Sequence, residues 1–430
     1  MSSYNGGISD LNALEDLSFL NRQHGGMRGD RWDHDRLDWD DHVEQLTHEN
    51  QFQREYRMSV RVYGELVRIL YPILERCEYN ARCTHPIQVE HIVGAGLRVV
   101  AGGTVCDNRH VVGMSLPASY TCFNDFIYAV NTAPELNINL PTTPDEWHAA
   151  NRGFRSKQTE EIMDGTCLAV DGFFQRSNKP TRGEVSNQLA YYSGHYEAHG
   201  VNCQAAVLSD LQFAYFGVVG PGSMNDCIAY PIAKELKSAI DNLPDGLYAV
   251  ADAAYTLSNK MLIPFTGADR LNQDMDAFNF YLSQLRIRVE MAFGRLVNKF
   301  LILSGKIGGP LERVADILLA CARLHNFIIQ QDGPSHVGNA SFQEEMDDLD
   351  FAPVPDAPFN MGYLPAIPNE MHHLDACPGN SHTRDAIVEM ISEYTIRRPT
   401  HNILRQQMEE EVFATSPRGV RVHRDFISPR

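Results

Sequence analysis

The spacing of apolar and polar positions changes character near the middle of the chain. Over residues 56–75, YRMSVRVYGELVRILYPILE, apolar side chains at Val60, Tyr63, Leu66, Val67, Ile69 and Leu70 recur every three or four positions. Ser59 stands where an N-cap belongs, so the stretch predicts a helix. Residues 89–100 predict a second amphipathic helix, closed by Gly102-Gly103. Residues 104–131 read as two short helices around Gly113-Met114, with Ser115 as N-cap of the second and Pro117 in its first turn. That is the order of a helix-turn-helix, but the second helix is poor in Arg and Lys, so a plain structural bundle fits at least as well.

Residues 136–156, rich in Pro, Thr and Asn, read as a linker, and beyond them the grammar turns to strands. The short apolar run in residues 165–175, GTCLAVDGFFQ, fits a buried strand. Residues 202–209 and 213–219 predict two strands joined by a turn at Asp210-Leu211. Residues 223–243 predict a helix, 246–252 a further buried strand, and 277–300 and 310–331 two long helices. Strands, helix, strand, helices in that order predict a mixed α/β sheet layered with helices, not a regularly alternating doubly wound fold. Residues 332–380 carry an acidic cluster at 344–350 and many prolines and read as linker. A final helix is expected near 383–394, within a C-terminal segment of 381–430.

Composition narrows the class. The chain has 430 residues, room for more than one domain, and a net charge of −18. Residues 1–50 hold 4 basic and 11 acidic side chains, and residues 331–430 hold 8 and 16. The middle holds 25 and 28, net −3, so the acidity lies in the tails and the body could meet a polyanion. Residues 1–52 read as a mobile acidic arm, in which the charge-dense stretch 28–41 with its two tryptophans is either a docking segment or a solvated tail. No apolar run approaches a membrane span, the N-terminus lacks a signal-peptide pattern, and nine cysteines without a CxxC pair suggest reduced thiols.

The candidate chemistry is carboxylate chemistry. Asp171 ends an apolar run and is followed by Gly172, which makes it either a turn residue or a ligand whose desolvation a metal offsets. Asp252 repeats that setting after Leu247-Tyr248-Ala249-Val250-Ala251. Glu290, in RIRVEMAFGRL, borders the apolar face marked by Leu282, Leu285, Val289 and Phe293. It reads either as an i,i+4 partner of Arg286 or as a third carboxylate facing the sheet edge. Two strand-end acids and one on a packing helix suit two Mg²⁺ or Mn²⁺ ions, which take oxygen ligands and serve phosphoryl transfer. Asp226 competes for second place, but its spacing from Ser223 is that of a capping box, which makes it a helix cap or a supporting residue. His195 and His199 have a spacing that suits zinc only on a helix, and the glycines around them deny one. His325-Asn326 reads as a hydrogen-bonded core pair within an apolar helix.

The order AVDGFF, PGSMND, VADAAY, RVEMAFGRL, RLHNFII resembles the PIF/Harbinger superfamily of DDE transposases and the nucleases domesticated from them. The resemblance covers roughly residues 53–330, and the helices before Asn131 look like the family's N-terminal helical region. It implies an RNase H-like catalytic core over residues 157–331, behind a helical, helix-turn-helix-like region at 53–135. It implies a catalytic and metal-binding triad of Asp171, Asp252 and Glu290, with 37 residues between the last two. The family's usual His-Asp pair is Asn225-Asp226 here, a departure at its first position. The resemblance further implies cutting and joining of DNA at transposon ends and target sites, two Mg²⁺ or Mn²⁺ ions, and a nuclear location. A separate Myb-like DNA-binding partner and a homo-oligomer on DNA complete what it implies. A domesticated derivative that binds DNA or protein without cutting is the alternative. A glycosidase-like hydrolase, with two carboxylates and no metal, is a third possibility.

Overall fold

A computed structural model describes residues 36–75, 87–158, 161–267, 269, 272–333 and 381–399. The stretch expected as an acidic linker, 332–380, lies almost wholly outside the described residues, as does most of the N-terminal arm. What is described of that arm is not free. Asp38 caps helix α1 (Trp39–His48) by accepting from the Asp40 and Asp41 amides. Trp39 is buried, stacked on Tyr63 at 5.2 Å and set edge-on to Tyr56 at 5.5 Å. The Leu37 amide donates to the Val112 carbonyl. An indole at the head of an amphipathic helix gains more by burial than by solvation, which corrects the reading of residues 36–52 as arm.

Helices α2 (Phe52–Tyr56), α3 (Val60–Leu74), α4 (Val89–Val100), α5 (Asp107–Val111) and α6 (Leu116–Thr132) complete the helical region. Ser59 and Ser115 are the N-caps of α3 and α6, as their positions in the sequence required. Gly113, with φ at 69°, makes the turn between α5 and α6. Helix α6 packs on α4 and buries Phe123, Phe126 and Val130. Its exposed stripe of Pro117, Thr121, Asn124, Tyr128 and Thr132 carries no cation.

The expected linker at 136–156 contains helix α7 (Pro144–Arg155). Thr143 and Glu146 form a complete capping box around Pro144, and Trp147 and Phe154 are buried. Pro and Thr are turn formers in general but helix starters at the cap and first turn, and here the second role prevails.

The sheet is built on β1 (Thr166–Arg176), with β2 (Tyr192–Ser193), β3 (Ala198–Val207), β4 (Phe213–Pro221), β5 (Tyr248–Val250) and β6 (Met261–Leu262). Its main path runs β4-β3-β1-β5-β6, and β2 pairs only with the start of β3. β1 is antiparallel to β3 and parallel to β5, and β5 is parallel to β6. Asp171 therefore does not end its strand: β1 continues beside β3 as far as Arg176, opposite Gly200. What ends near Asp171 is the ladder to β5, whose last pair is Ala169 with Val250. Beyond that pair β1 has a neighbour on one side only, and the notch so left is where polar side chains gather.

Between β4 and β5 the single expected helix is two, α8 (Asp226–Ile232) and α9 (Lys234–Asp241), interrupted at Ala233. Pro231 lacks an amide to continue the first. Helix α10 (Gln273–Lys299) lies on β1, and α11 (Leu311–Asp332) packs on α6 and β4. Helix α12 (His382–Glu393) packs on α10, with the Arg384 guanidinium 3.9 Å from the centre of the Phe265 ring. Successive residues of β1 face opposite sides. Ala169 and Phe173 join the core shared with α10, α11 and the helical region, while Leu168 and Val170 join the core under α7, α8 and α9. The fold is mixed α/β, and among the described residues no helix is long and apolar enough to cross a membrane.

Candidate active site

The register of β1 against β5 places two acids side by side. Asp171 and Asp252 each follow the last parallel pair, Ala169–Val250, by two residues. The Asp171 Oδ1 accepts from the Gly172 amide at 2.8 Å, and the Asp252 Oδ1 accepts from the Ala254 amide at 2.9 Å. Each carboxylate is thus pinned through one oxygen, and acceptor capacity remains on both.

Glu290 comes to the same place from α10. Leu282, Leu285, Val289 and Phe293 bury the helix against the sheet, and Arg286 and Glu290 stand half-buried at the border of that face. The i,i+4 pair expected for Glu290 is formed. Arg286 Nη2 lies 2.5 Å from Glu290 Oε1, and the same guanidinium places Nη1 3.6 Å from Asp171 Oδ2. Arg286 therefore bridges the helix acid to the strand acid.

Asp226 lies on the other face of β1. A Cβ at Gly172 would stand 2.1 Å from Asp226 Oδ1, so the carboxylate rests against the strand backbone and only glycine fits there. The expected capping box is not formed. Asn225 is the N-cap of α8, accepting from the Ile228 amide at 3.2 Å, and Asp226 is free to turn inward. Its Oδ1 accepts from Gln204 Nε2 at 2.7 Å and from Asn202 Nδ2 at 3.4 Å. Tyr255 donates to Gln204 Oε1 at 2.7 Å, which fixes the orientation of that amide. Gln204 and Asn202 are buried polar residues inside an apolar strand, VNCQAAV, and that anomaly was the sequence signal for this network.

The cluster is short of positive charge. Burial, and then the charge of Asp252, push the Asp171 pKa well above the usual carboxylate range, against the pull of Arg286. Burial and the charge of Asp226 push Asp252 up to about 6. Burial also raises Asp226, against its bonds to Gln204 and Asn202. Asp171, Asp252 and Glu290 with one guanidinium form a donor set that fits a hard divalent cation, all oxygens and an excess of negative charge. They are not drawn into a closed cage: among the described residues, no three His, Cys, Asp or Glu side chains stand ready-made around one ion.

The remaining candidates are structural. His195 lies edge-on to Tyr196 in the turn between β2 and β3, and His199, on β3, is edge-on to Tyr192. His325 Nε2 donates to the Leu211 carbonyl at 2.9 Å. Asn326 accepts from the Phe213 amide at 2.8 Å and donates to the Phe213 carbonyl at 2.7 Å. The pair locks the β3–β4 turn, where Leu211 has φ at 75°, onto α11.

No curated protein and no solved structure matches the chain. Residues 170–326 match the family model described as DDE superfamily endonuclease. The match starts one residue before Asp171 and ends at Asn326, so it takes in Asp226, Asp252, Arg286 and Glu290. The sheet, its notch and the helix that closes it thus form a region similar to the DDE superfamily endonucleases.

Proposed function

We propose that the chain is a metal-dependent DNA endonuclease of the PIF/Harbinger type, with a two-metal DDE mechanism and an RNase H-like core. The observation that carries this reading is the meeting of Asp171, Asp252 and Glu290 at the end of the β1/β5 ladder, inside the span similar to DDE endonucleases. Three antiparallel strands continued by two parallel ones, with a helix across β1 bearing the third acid, support the RNase H-like assignment.

Asp171, Asp252 and Glu290 would hold Mg²⁺ or Mn²⁺, which supplies activation of the attacking oxygen and stabilisation of the leaving oxygen at a phosphodiester. The chain's own part is preorganisation. The Gly172 and Ala254 amides hold the two aspartates, and α10 sets Glu290 opposite them. The network of Tyr255, Gln204 and Asp226 stiffens the far side of β1. Arg286 keeps Glu290 turned toward Asp171 and offers a guanidinium to a phosphate oxygen. Hydrolysis, with water displacing the 3′ oxygen, would free a 3′-hydroxyl and leave a 5′-phosphate; attack of that hydroxyl on a target phosphodiester would join strand to target and release the target's own 3′-hydroxyl. DNA at transposon ends and target sites, a Myb-like partner, a homo-oligomer on DNA and a nuclear location belong to the same proposal and rest on the family resemblance.

A catalytically silent derivative that binds DNA or protein is the second reading. What favours it is Arg286, which neutralises part of the cluster in place of a metal. Nicking of supercoiled plasmid separates the two. The endonuclease reading expects nicking with Mg²⁺ or Mn²⁺, none in EDTA, and none by Asp171→Asn. Nicking that survives EDTA or that substitution overturns it, and DNA binding without nicking in any divalent ion supports the silent derivative.

A further inference from the structure

One side chain in the carboxylate cluster has two claims upon it that it cannot meet together. The Asp171 Oδ1 is held by the Gly172 amide at 2.8 Å, so Oδ2 is the oxygen left to take a cation. That is the oxygen Arg286 faces, with Nη1 at 3.6 Å, while Nη2 stands 2.5 Å from Glu290 Oε1. The guanidinium thus spans the gap between two carboxylates that would share an ion. A hard divalent cation needs the same oxygens at about 2.0–2.4 Å, and the two positive groups repel each other there. Neither Asp252 nor Asp226 has an ion-pair partner among the described residues, so Arg286 is the cluster's one cation.

Arg286 is also placed to leave. Among the described residues, Asp171 and Glu290 are its only ion-pair partners. It keeps 27% of its side chain exposed, against 18% for Asp171 and 23% for Glu290, so a solute arriving from solvent can reach the guanidinium. Its stem is unbranched, and a change of rotamer carries the head away from the carboxylates without moving α10.

The substrate supplies what draws it off. A phosphodiester presents two unesterified oxygens, which the fork of an arginine binds bidentately. A guanidinium turned to that phosphate leaves Asp171 Oδ2 and Glu290 Oε1 open.

We propose that Arg286 is a displaceable plug: it fills the cation's place in the free protein and gives it up when a DNA phosphate takes the guanidinium. The inference rests on the endonuclease reading and adds to it a regulation of the same site. Off DNA, Arg286 keeps the affinity for divalent ions low; on DNA, that restraint is lifted. By linkage, a divalent ion then strengthens DNA binding by the factor by which DNA strengthens binding of the ion.

The test compares wild type with two uncharged variants, Arg286→Met and Arg286→Gln. Mn²⁺ binding to the free proteins is read from the electron paramagnetic resonance of unbound Mn²⁺. DNA affinity is read by fluorescence anisotropy of a labelled duplex, in EDTA and in Mn²⁺; a nicked duplex stays paired, so cutting leaves the reading intact. Off DNA, both variants should bind Mn²⁺ more tightly than wild type. Mn²⁺ should strengthen DNA binding by wild type, and by a factor about 5- to 150-fold larger than in either variant. An ion that merely bridges protein and phosphate strengthens all three alike, so equal factors overturn the proposal. Mn²⁺ binding by the variants no tighter than that of wild type overturns it too, and leaves Arg286 as a residue that orients Glu290. If the plug fails while wild type nicks DNA in Mn²⁺ and Asp171→Asn does not, the endonuclease reading stands. If Asp171→Asn binds Mn²⁺ as wild type does, or wild type binds no DNA in Mn²⁺, both fall.

Discussion

Two buried polar clusters face the sheet from its covering helices, and they differ in how completely they are satisfied. At the β3–β4 turn, Asn326 gives both ends of its amide to Phe213, and His325 gives its Nε2–H to Leu211. Burial keeps His325 neutral; the Asn326 amide is paired at both ends, and only the His325 Nδ1 is left without a partner among the described residues. At the end of the β1/β5 ladder, Asp171 and Glu290 share one guanidinium; burial with repulsion from neighbouring carboxylates raises the pKa of Asp171 and Asp252, and burial alone raises that of Asp226. Buried carboxylates with raised pKa values gather at functional sites. The contrast separates the candidate active site from an equally buried polar motif in the same matched span.

The largest expected effect is on the charged cluster. Asp171→Asn should cut Mg²⁺-dependent nicking by at least about 100-fold, since loss of even a group that merely supports a metal ligand can cost that much. The same change should hold or raise the melting temperature in EDTA, because it removes a buried charge the fold disfavours. Wild type, but not the variant, should gain stability from Mg²⁺, by about 2.7 kcal/mol at a hundred times Kd. At the neutral cluster, Asn326→Ala should do the reverse. It leaves the buried Phe213 amide and carbonyl unpaired and should cost about 2–4 kcal/mol in urea unfolding.

The two clusters should also respond oppositely to pH, measured as melting temperature in EDTA between pH 4 and 7.5. Asp252 has its pKa raised from 3.8 to about 6 in the fold. Its contribution is therefore full below 3.8 and lost as pH rises through 6, and Asp252→Asn should flatten that slope. His325 has its pKa lowered from 6.5 to about 4 by burial. It contributes above 6.5 and loses that contribution as pH falls through 4, and His325→Gln should flatten the acid side. The smallest effect belongs to Arg286→Met. It should lower stability in EDTA by under about 1 kcal/mol, and enlarge the gain from Mg²⁺, because the guanidinium no longer competes for the carboxylates.

The helix boundaries around Ser59 and Ser115 were legible because capping is a local matter of one side chain and one amide. Asp171 and Asp252 stood out because an acid after an apolar run is expensive wherever the run is buried. The sequence misplaced Asp171 at a strand end because the end that matters belongs to the partner strand β5, 81 positions away in the ladder from Leu168–Ala249 onward. Helix α7 hid behind its composition, although Thr143-Pro144-Asp145-Glu146 is a full helix-start signal. Asp226 matched the spacing of a cap from Ser223, but Asn225 lies at the actual start and Gln204 claims the carboxylate. The Arg286–Asp171 bridge and the Phe174–Tyr196 stack join residues whose meeting depends on the tertiary fold, and periodicity carries no trace of either.

Asp171, Asp252 and Glu290 are expected to share divalent ions. A crystal soaked in Mn²⁺, examined by anomalous diffraction, tests this most directly. The expected result is a pair of Mn²⁺ peaks about 4 Å apart, held by those three carboxylates, with Arg286 turned away from Asp171. Strong manganese peaks elsewhere, or none at this site at concentrations that support nicking, would contradict it.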